Sequence, residues 1–210
     1  VQAQTSANDE HRHEVAVQYV PSFPAAIEPI ATALFGALVR PSGPLDAGFA
    51  VSVAGEKLSV PYRIRLDPER LRATLSTAAG DVRLLALCLG TRDYDGYVRE
   101  DCLGKLTGVE YPWVVPFVVA LLGDYVNDIA ERAAAALEAV NPALLDALAR
   151  DNPAFVATTQ SRAASYWGHY YRQRRYWRCR DYPPYALLQR IVRRVRGSGG
   201  SDAASSGAHR

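Results

Sequence analysis

Five carboxylates in the middle of the chain are the first candidates for chemistry. Asp124, Asp128 and Glu131 fall at i, i+4 and i+7, a spacing that places them on one face of a helix, and Asp93 and Asp95 could approach from a loop. Acids gathered in that way suit a hard cation such as Mg²⁺. Arginines are interleaved with them, however, and would repel a cation. The residues therefore favour a structural ion-pair network, in which Asp124 and Asp128 pair with Arg99 and Arg92 and tie the loop bearing Asp93 and Asp95 to the helix. No metal site is assigned, and a metal-dependent enzyme built on these acids ranks third among the functional readings.

A second candidate is the run from Ser165 to Arg180, SYWGHYYRQRRYWRCR, in which Tyr166, Trp167, Tyr170, Tyr171, Tyr176 and Trp177 stand among Arg172, Arg174, Arg175, Arg178 and Arg180. Guanidinium groups grip phosphates and aromatic rings stack on bases, the combination used by single-strand binders. Arg190, Arg193, Arg194 and Arg196 extend the basic surface. No ribonucleoprotein motif, zinc finger or helix-turn-helix accompanies it. The favoured reading packs the aromatics at 166, 167, 170 and 171 into the core and uses the arginines to neutralise the acidic amino-terminal part.

Nucleophilic catalysis has little to work with. His11, His13 and His209 lie near the ends, leaving His169, which is one helical turn from Ser165 with no orienting acid nearby and no nucleophile elbow before it. The glycines form neither GxGxxG nor a phosphate loop, so no nucleotide cofactor is expected. No cofactor of any kind is assigned.

The elements that must position these groups follow from composition and periodicity. At 210 residues and 49% apolar content the chain can build a genuine core. Its net charge of +2 conceals a division: residues 1–150 hold 13 basic against 19 acidic side chains, and residues 151–210 hold 11 against 3. Of the 24 basic residues only Lys57 and Lys105 are lysines, which reads first as codon bias in a GC-rich bacterial genome. Cys88, Cys102 and Cys179 have no CxxC spacing, and the first two fall at apolar helical positions, so buried thiols in a reducing cytoplasm are expected. The first fourteen residues are polar and do not read as a signal peptide, and Val1 suggests a valine-coded start or a trimmed chain. The longest apolar run, Tyr111 to Gly123, is shorter than the roughly 20 residues needed to cross a bilayer.

Along the chain, residues 1–20 read as a mobile tail and 197–210, rich in Gly, Ser and Ala, as a disordered one, with a single helical domain over 21–196. Ile30, Leu34, Phe35 and Leu38 recur at helical spacing until Pro41-Ser42-Gly43-Pro44. Alternation on both sides of Ala54-Gly55-Glu56 gives a small β-hairpin at about 48–65, followed by a helical stack over about 67–196. Asp67-Pro68 starts one helix; another begins near Ala79, and a third follows Asp95-Gly96. A long pattern then runs from Trp113 to Val140. Asn141-Pro142 and Asn152-Pro153 open two further helices, the second through Tyr171, and the last covers about Pro184 to Arg196.

The segment Arg92-Asp93-Tyr94-Asp95-Gly96-Tyr97-Val98-Arg99 resembles the inter-helix turn of HEAT-like repeats, where an Asp-rich turn is followed by an aromatic, a valine and an arginine. It is also similar to a group of bacterial proteins of unassigned function that combine an Asp-Gly-Tyr-Val-Arg turn with a proline-initiated helix bearing Gly-Asp-Tyr-Val. The likeness covers residues 81–140 and implies stacked helical hairpins and binding of another protein. It transfers no catalytic residue. No second copy of the motif occurs, so a long solenoid, which needs about three repeats, is not expected. The expected protein is mainly α-helical with HEAT-like stacked hairpins, and its expected role is non-enzymatic interaction with another protein. Nucleic-acid binding through the arginine-rich carboxy-terminal helices is the alternative.

Overall fold

The computed structural model describes residues 22–40, 47–106, 108 and 111–205, the backbone alone from 198 onward. The amino-terminal tail, the Pro41 to Pro44 terminator and the histidines at 11, 13 and 209 lie outside that set. Among the described residues the chain is mainly helical, with nine α-helices and one small antiparallel two-stranded sheet. It divides into two compact units, Val1–Val118 and Val119–Arg210, where the sequence reads as a single domain.

In the first unit, α1 (Glu28–Leu38) buries Ala31, Leu34, Phe35 and Leu38, an i, i+3, i+4, i+7 stripe. Ile30 falls just outside that stripe and is partly exposed. Phe23 stacks on Phe117 with ring centroids 5.3 Å apart and meets the edge of Trp113 at 5.7 Å, joining the start of the chain to the end of the unit. The hairpin is formed as the alternation requires, with β1 (Gly48–Val53) and β2 (Glu56–Pro61) paired from Gly48 against Pro61 to Val53 against Glu56. Val51, Val53, Leu58 and Val60 lie on its buried side. Pro61 is the last paired residue, where its missing N–H does no harm. The two turn residues both have positive φ, 51° at Ala54 and 86° at Gly55, the geometry that matches the twist of a hairpin.

Helix α2 (Pro68–Thr77) starts as the sequence indicates: Asp67 accepts the N–H groups of Glu69 and Arg70 at 3.1 Å, and Pro68 occupies the first turn. In α3 (Gly80–Gly90) every residue from Leu85 to Gly90 is buried, which makes this helix the centre of its unit. It packs on α1, α2 and α4 (Gly96–Lys105). A Cβ at Gly90 would stand 2.2 Å from the Cys102 sulfur, so the close crossing of α3 and α4 requires a glycine there.

The long helix expected from Trp113 to Val140 is instead broken. Helix α5 (Val115–Ala120) passes into a 3₁₀ turn at Leu121–Gly123, Asp124 is extended, and α6 (Asn127–Glu138) starts afresh. The cause is local: the Asp124 carboxylate accepts the Val126 N–H at 3.0 Å, a side-chain bond that competes with continuing the helix. Helices α7 (Pro142–Asp151) and α8 (Pro153–Tyr166) follow, α7 capped by Asn141, which accepts the Ala143 N–H at 3.0 Å. A π-helical turn occupies Trp167–Tyr171 and a 3₁₀ turn Cys179–Asp181. The last helix, α9 (Pro183–Ser205), buries Leu187, Leu188 and Ile191 against α6, α7 and α8. It continues past Arg196 into the segment read as a tail, for which the Gly/Ser-rich composition supplies no reason.

Ala54 carries the one described non-glycine residue with positive φ, a conformation that costs an alanine about 1 kcal/mol and an asparagine less. Ala54→Asn should therefore raise unfolding free energy by about 0.5–1 kcal/mol in a denaturant titration. A decrease would show that the turn is held by something other than its backbone preference.

Candidate functional site

The turn between α3 and α4 is a knot of buried polar groups in the first unit. The backbone of Ile64 runs alongside it, donating its N–H to the Arg92 carbonyl at 2.9 Å and accepting that of Tyr94 at 3.1 Å. The two Asp93 carboxylate oxygens accept the Leu66 N–H at 2.9 Å and the Asp95 N–H at 2.7 Å. Burial pushes the Asp93 carboxyl above its ordinary value, while these two bonds pull against the rise. Arg99 is fully buried and donates from Nη1 to the carbonyls of Asp93, at 3.0 Å, and Tyr94, at 2.9 Å. Arg92, equally buried, donates to the Phe117 carbonyl at 2.8 Å and the Thr91 hydroxyl at 3.2 Å. Asp95 caps α4 by accepting the Tyr97 N–H at 2.9 Å. These groups hold backbone, and the exposed side chains of the segment are Tyr94, Asp95 and Tyr97.

Asp124 and Asp128 belong to the second unit. Because the helix breaks at Asp124, the i, i+4, i+7 face fails: Asp124 precedes α6, is buried and holds the Val126 N–H, whereas Asp128 is exposed in the first turn of α6. Glu131 gathers three partners, the Asn127 amide at 2.7 Å, the Tyr176 hydroxyl at 2.6 Å and the Arg175 guanidinium at 3.1 Å. Among the described residues no three or more His, Cys, Asp or Glu side chains are grouped to hold a metal ion. Arg92, Arg99 and Asp124 each have bonds inside their own unit.

Ser165 and His169 do not meet as nucleophile and base. Nδ1 of His169 lies 2.9 Å from the Ser165 carbonyl oxygen, an acceptor, so that nitrogen carries a proton and ties the ring to the helix backbone. Cys88 and Cys102 are buried free thiols; burial raises both, Cys102 to about 12, well away from the reactive thiolate range. Cys179, partly exposed, is also raised by burial.

The arginine-rich region separates into two groups. Arg175 pairs with Glu131, Arg190 with Glu138, and Arg194 grips Asp146 through Nε at 2.9 Å and Nη2 at 2.8 Å, so these cations fasten elements of the second unit to one another. Arg193 reaches the Gln189 side chain at 3.5 Å. Arg172 lies over the Trp167 ring at 5.7 Å. Arg172, Arg174, Arg178 and Arg180 are exposed, and none has a carboxylate within 4.0 Å among the described residues.

The loop carrying those four is held by its aromatic side chains. The Trp167 Nε1–H donates to the Tyr176 carbonyl at 2.8 Å, the Tyr171 hydroxyl to the Tyr125 carbonyl at 2.8 Å, and the Tyr176 hydroxyl to Glu131. Burial, then the bond to Glu131, pushes the Tyr176 phenol up to about 12. The Tyr171 carbonyl accepts from the N–H groups of Arg174, Arg175 and Tyr176 at 3.1–3.2 Å, closing the turn. None of the four aromatics that the sequence reading packs into the core is buried: Tyr166, Trp167 and Tyr171 are half-buried and Tyr170 is exposed. Tyr170 is 57% and Trp177 79% exposed, while the buried ring is Tyr182, packed on Tyr171 and Tyr176 with centroids 5.9 and 5.4 Å away. Tyr182 escaped the sequence reading; the available signal was an aromatic just before Pro183-Pro184 at a helix start. Its hydroxyl and the Asn127 Oδ1 are buried without a hydrogen-bond partner among the described residues.

Each unit also has a groove. One of about 570 Å³ in the first unit is lined by Leu71, Leu75, Tyr97 and Cys102, and one of about 210 Å³ in the second by Val156, Ala157, Val192 and Val195. Among the described residues no helix is long and apolar enough to cross a membrane. No protein-family model, curated protein or solved structure matches the chain.

Arg99→Ala leaves the buried Asp93 carbonyl and the part-buried Tyr94 carbonyl without their donor and should cost about 3–5 kcal/mol in a reversible unfolding titration. Arg99→Lys, with a point charge in place of a planar fork, should recover only part of that loss. A cost under about 1 kcal/mol for the alanine variant would contradict the bracing role.

Proposed function

We propose that this protein is a non-enzymatic interaction protein, a helical scaffold with HEAT-like hairpin packing whose binding face is the loop at 167–180. The pairing of α3 with α4 across a short Asp-rich turn supports the hairpin part of the reading. The observation that carries the binding part is Trp177, which stands 79% exposed on a loop whose backbone is pinned by Trp167, Tyr171 and Tyr176. A large apolar ring held out in water by a fixed loop gains nothing for folding. At an interface the same ring, already ordered, is an anchor that loses little entropy on binding. The three free thiols suit a reducing compartment, and the cytoplasm belongs to the same proposal.

Photo-crosslinking tests this reading. A crosslinking amino acid placed at Trp177 in the whole chain, expressed in its native host, should give a discrete adduct, which Arg174→Glu with Arg178→Glu removes without lowering the melting temperature. The same probe at Glu69, on exposed α2 of the first unit, serves as the control. No adduct at 177, or the same adducts from both positions, would overturn the proposal.

A further inference from the structure

Resting on the reading of 167–180 as the binding face, we infer that its partner is a single-stranded nucleic acid, with phosphates held by Arg172, Arg174, Arg178 and Arg180 and bases stacked on Tyr170 and Trp177.

The charge argument turns on which arginines already have a use. Arg175, Arg190 and Arg194 are matched to Glu131, Glu138 and Asp146, so the basic excess of the carboxy-terminal region is not evenly available. Apart from Arg193 and Arg196 on α9, the exposed arginines without an acid are concentrated in nine residues of one loop, four guanidinium groups against the single neighbouring acid Asp181. A guanidinium presents a planar fork of donors that fits a phosphate with two bonds. Four such forks on a short loop call for a ligand with repeating anionic groups.

The rings narrow that class. Tyr125, Tyr166 and Tyr170 form a row with centroids 6.5 and 6.4 Å apart, the last two rings within 24° of parallel, and the row ends at Tyr170, which is 57% exposed. Trp177 offers a second open ring within the basic loop. Open aromatic faces beside arginines are what unstacked bases use, and each base stacked in this way strengthens binding whatever its identity. A duplex hides its base faces, and reading it takes a helix or ribbon whose free cations enter a groove. Here two of the arginines of α9, Arg190 and Arg194, are tied to acids and Arg193 reaches Gln189, so of the uncommitted guanidinium groups four sit on a turn and Arg196 on the helix. An acidic peptide would engage the guanidinium groups and leave the rings idle. The π-helical turn at Trp167–Tyr171, a rare geometry found often at functional sites, is what turns the chain from α8 into this loop.

The test is fluorescence anisotropy of a labelled oligothymidylate and an oligouridylate, each of about 15 nucleotides, with the whole protein. A duplex, polyglutamate of equal charge and vesicles containing phosphatidylserine are measured alongside. Four phosphate contacts to a single strand predict an affinity that falls about 50-fold between about 50 and 200 mM salt. Replacing Arg174 and Arg178 by Gln should reduce that fall to about seven-fold. Trp177→Ala should weaken the single strand about ten-fold or more while leaving polyglutamate unaffected. Unchanged melting temperatures show that both variants are folded. Preference for duplex, polyglutamate or vesicles, or indifference of the single strand to Trp177→Ala, would overturn the inference while a crosslink at Trp177 kept the binding face. Failure of every probe together with failure of that crosslink would remove both.

Discussion

A buried guanidinium facing two backbone carbonyls is the interaction on which the first unit depends. Arg99 holds the carbonyls of Asp93 and Tyr94, and Asp93 in turn holds the N–H groups of Leu66 and Asp95, so a five-residue turn is bonded to a strand-like segment it does not adjoin in sequence. A buried charge without such partners would cost several kcal/mol, and buried carbonyls without a donor nearly as much per group. The two demands are met by the same atoms. That constraint fixes where α3 ends and α4 begins, and with them the crossing at Gly90 and Cys102.

In the second unit arginine serves a different purpose. Ion pairs from Arg175, Arg190 and Arg194 join the loop and α9 to acids on α6 and α7, and being partly exposed each adds little to stability while specifying geometry. The aromatic residues divide in the same way. Tyr182 fills the interior, Tyr171 and Tyr176 use their hydroxyls as fasteners, and Tyr170 and Trp177 are left outside. A loop so thoroughly fastened keeps its unused side chains in place, which is the physical basis of the proposed binding face.

Much of the local architecture was legible in the residues. Asp67-Pro68 and Asn141-Pro142 mark helix starts because a short polar side chain can hold the first N–H groups and proline lacks the one that would go unsatisfied, and the structure forms both caps. The hairpin was legible because period-two alternation flanks a turn, and the buried character of α3 because its apolar surface is too wide for one face. The break at Asp124 was not legible: apolar periodicity runs across it, and only a side-chain bond to Val126 decides against the helix. The π turn was likewise hidden, and the one signal for Tyr182, its place just before Pro183-Pro184, does not by composition distinguish a tyrosine that is buried from one that faces water. For the candidate site, the residue types at 170–180 pointed to the region, but which arginines are free depends on acids 44 to 52 positions away in sequence, and that pairing exists only in the fold.

Native-state hydrogen exchange at the amides of Leu66 and Asp95 tests the bracing of the turn most directly. Both donate to a buried carboxylate in a segment without regular secondary structure, and the account predicts that they exchange only through cooperative opening of the first unit, alongside the amides of central α3. Exchange at the rate of exposed loop amides, while α3 stayed protected, would contradict it.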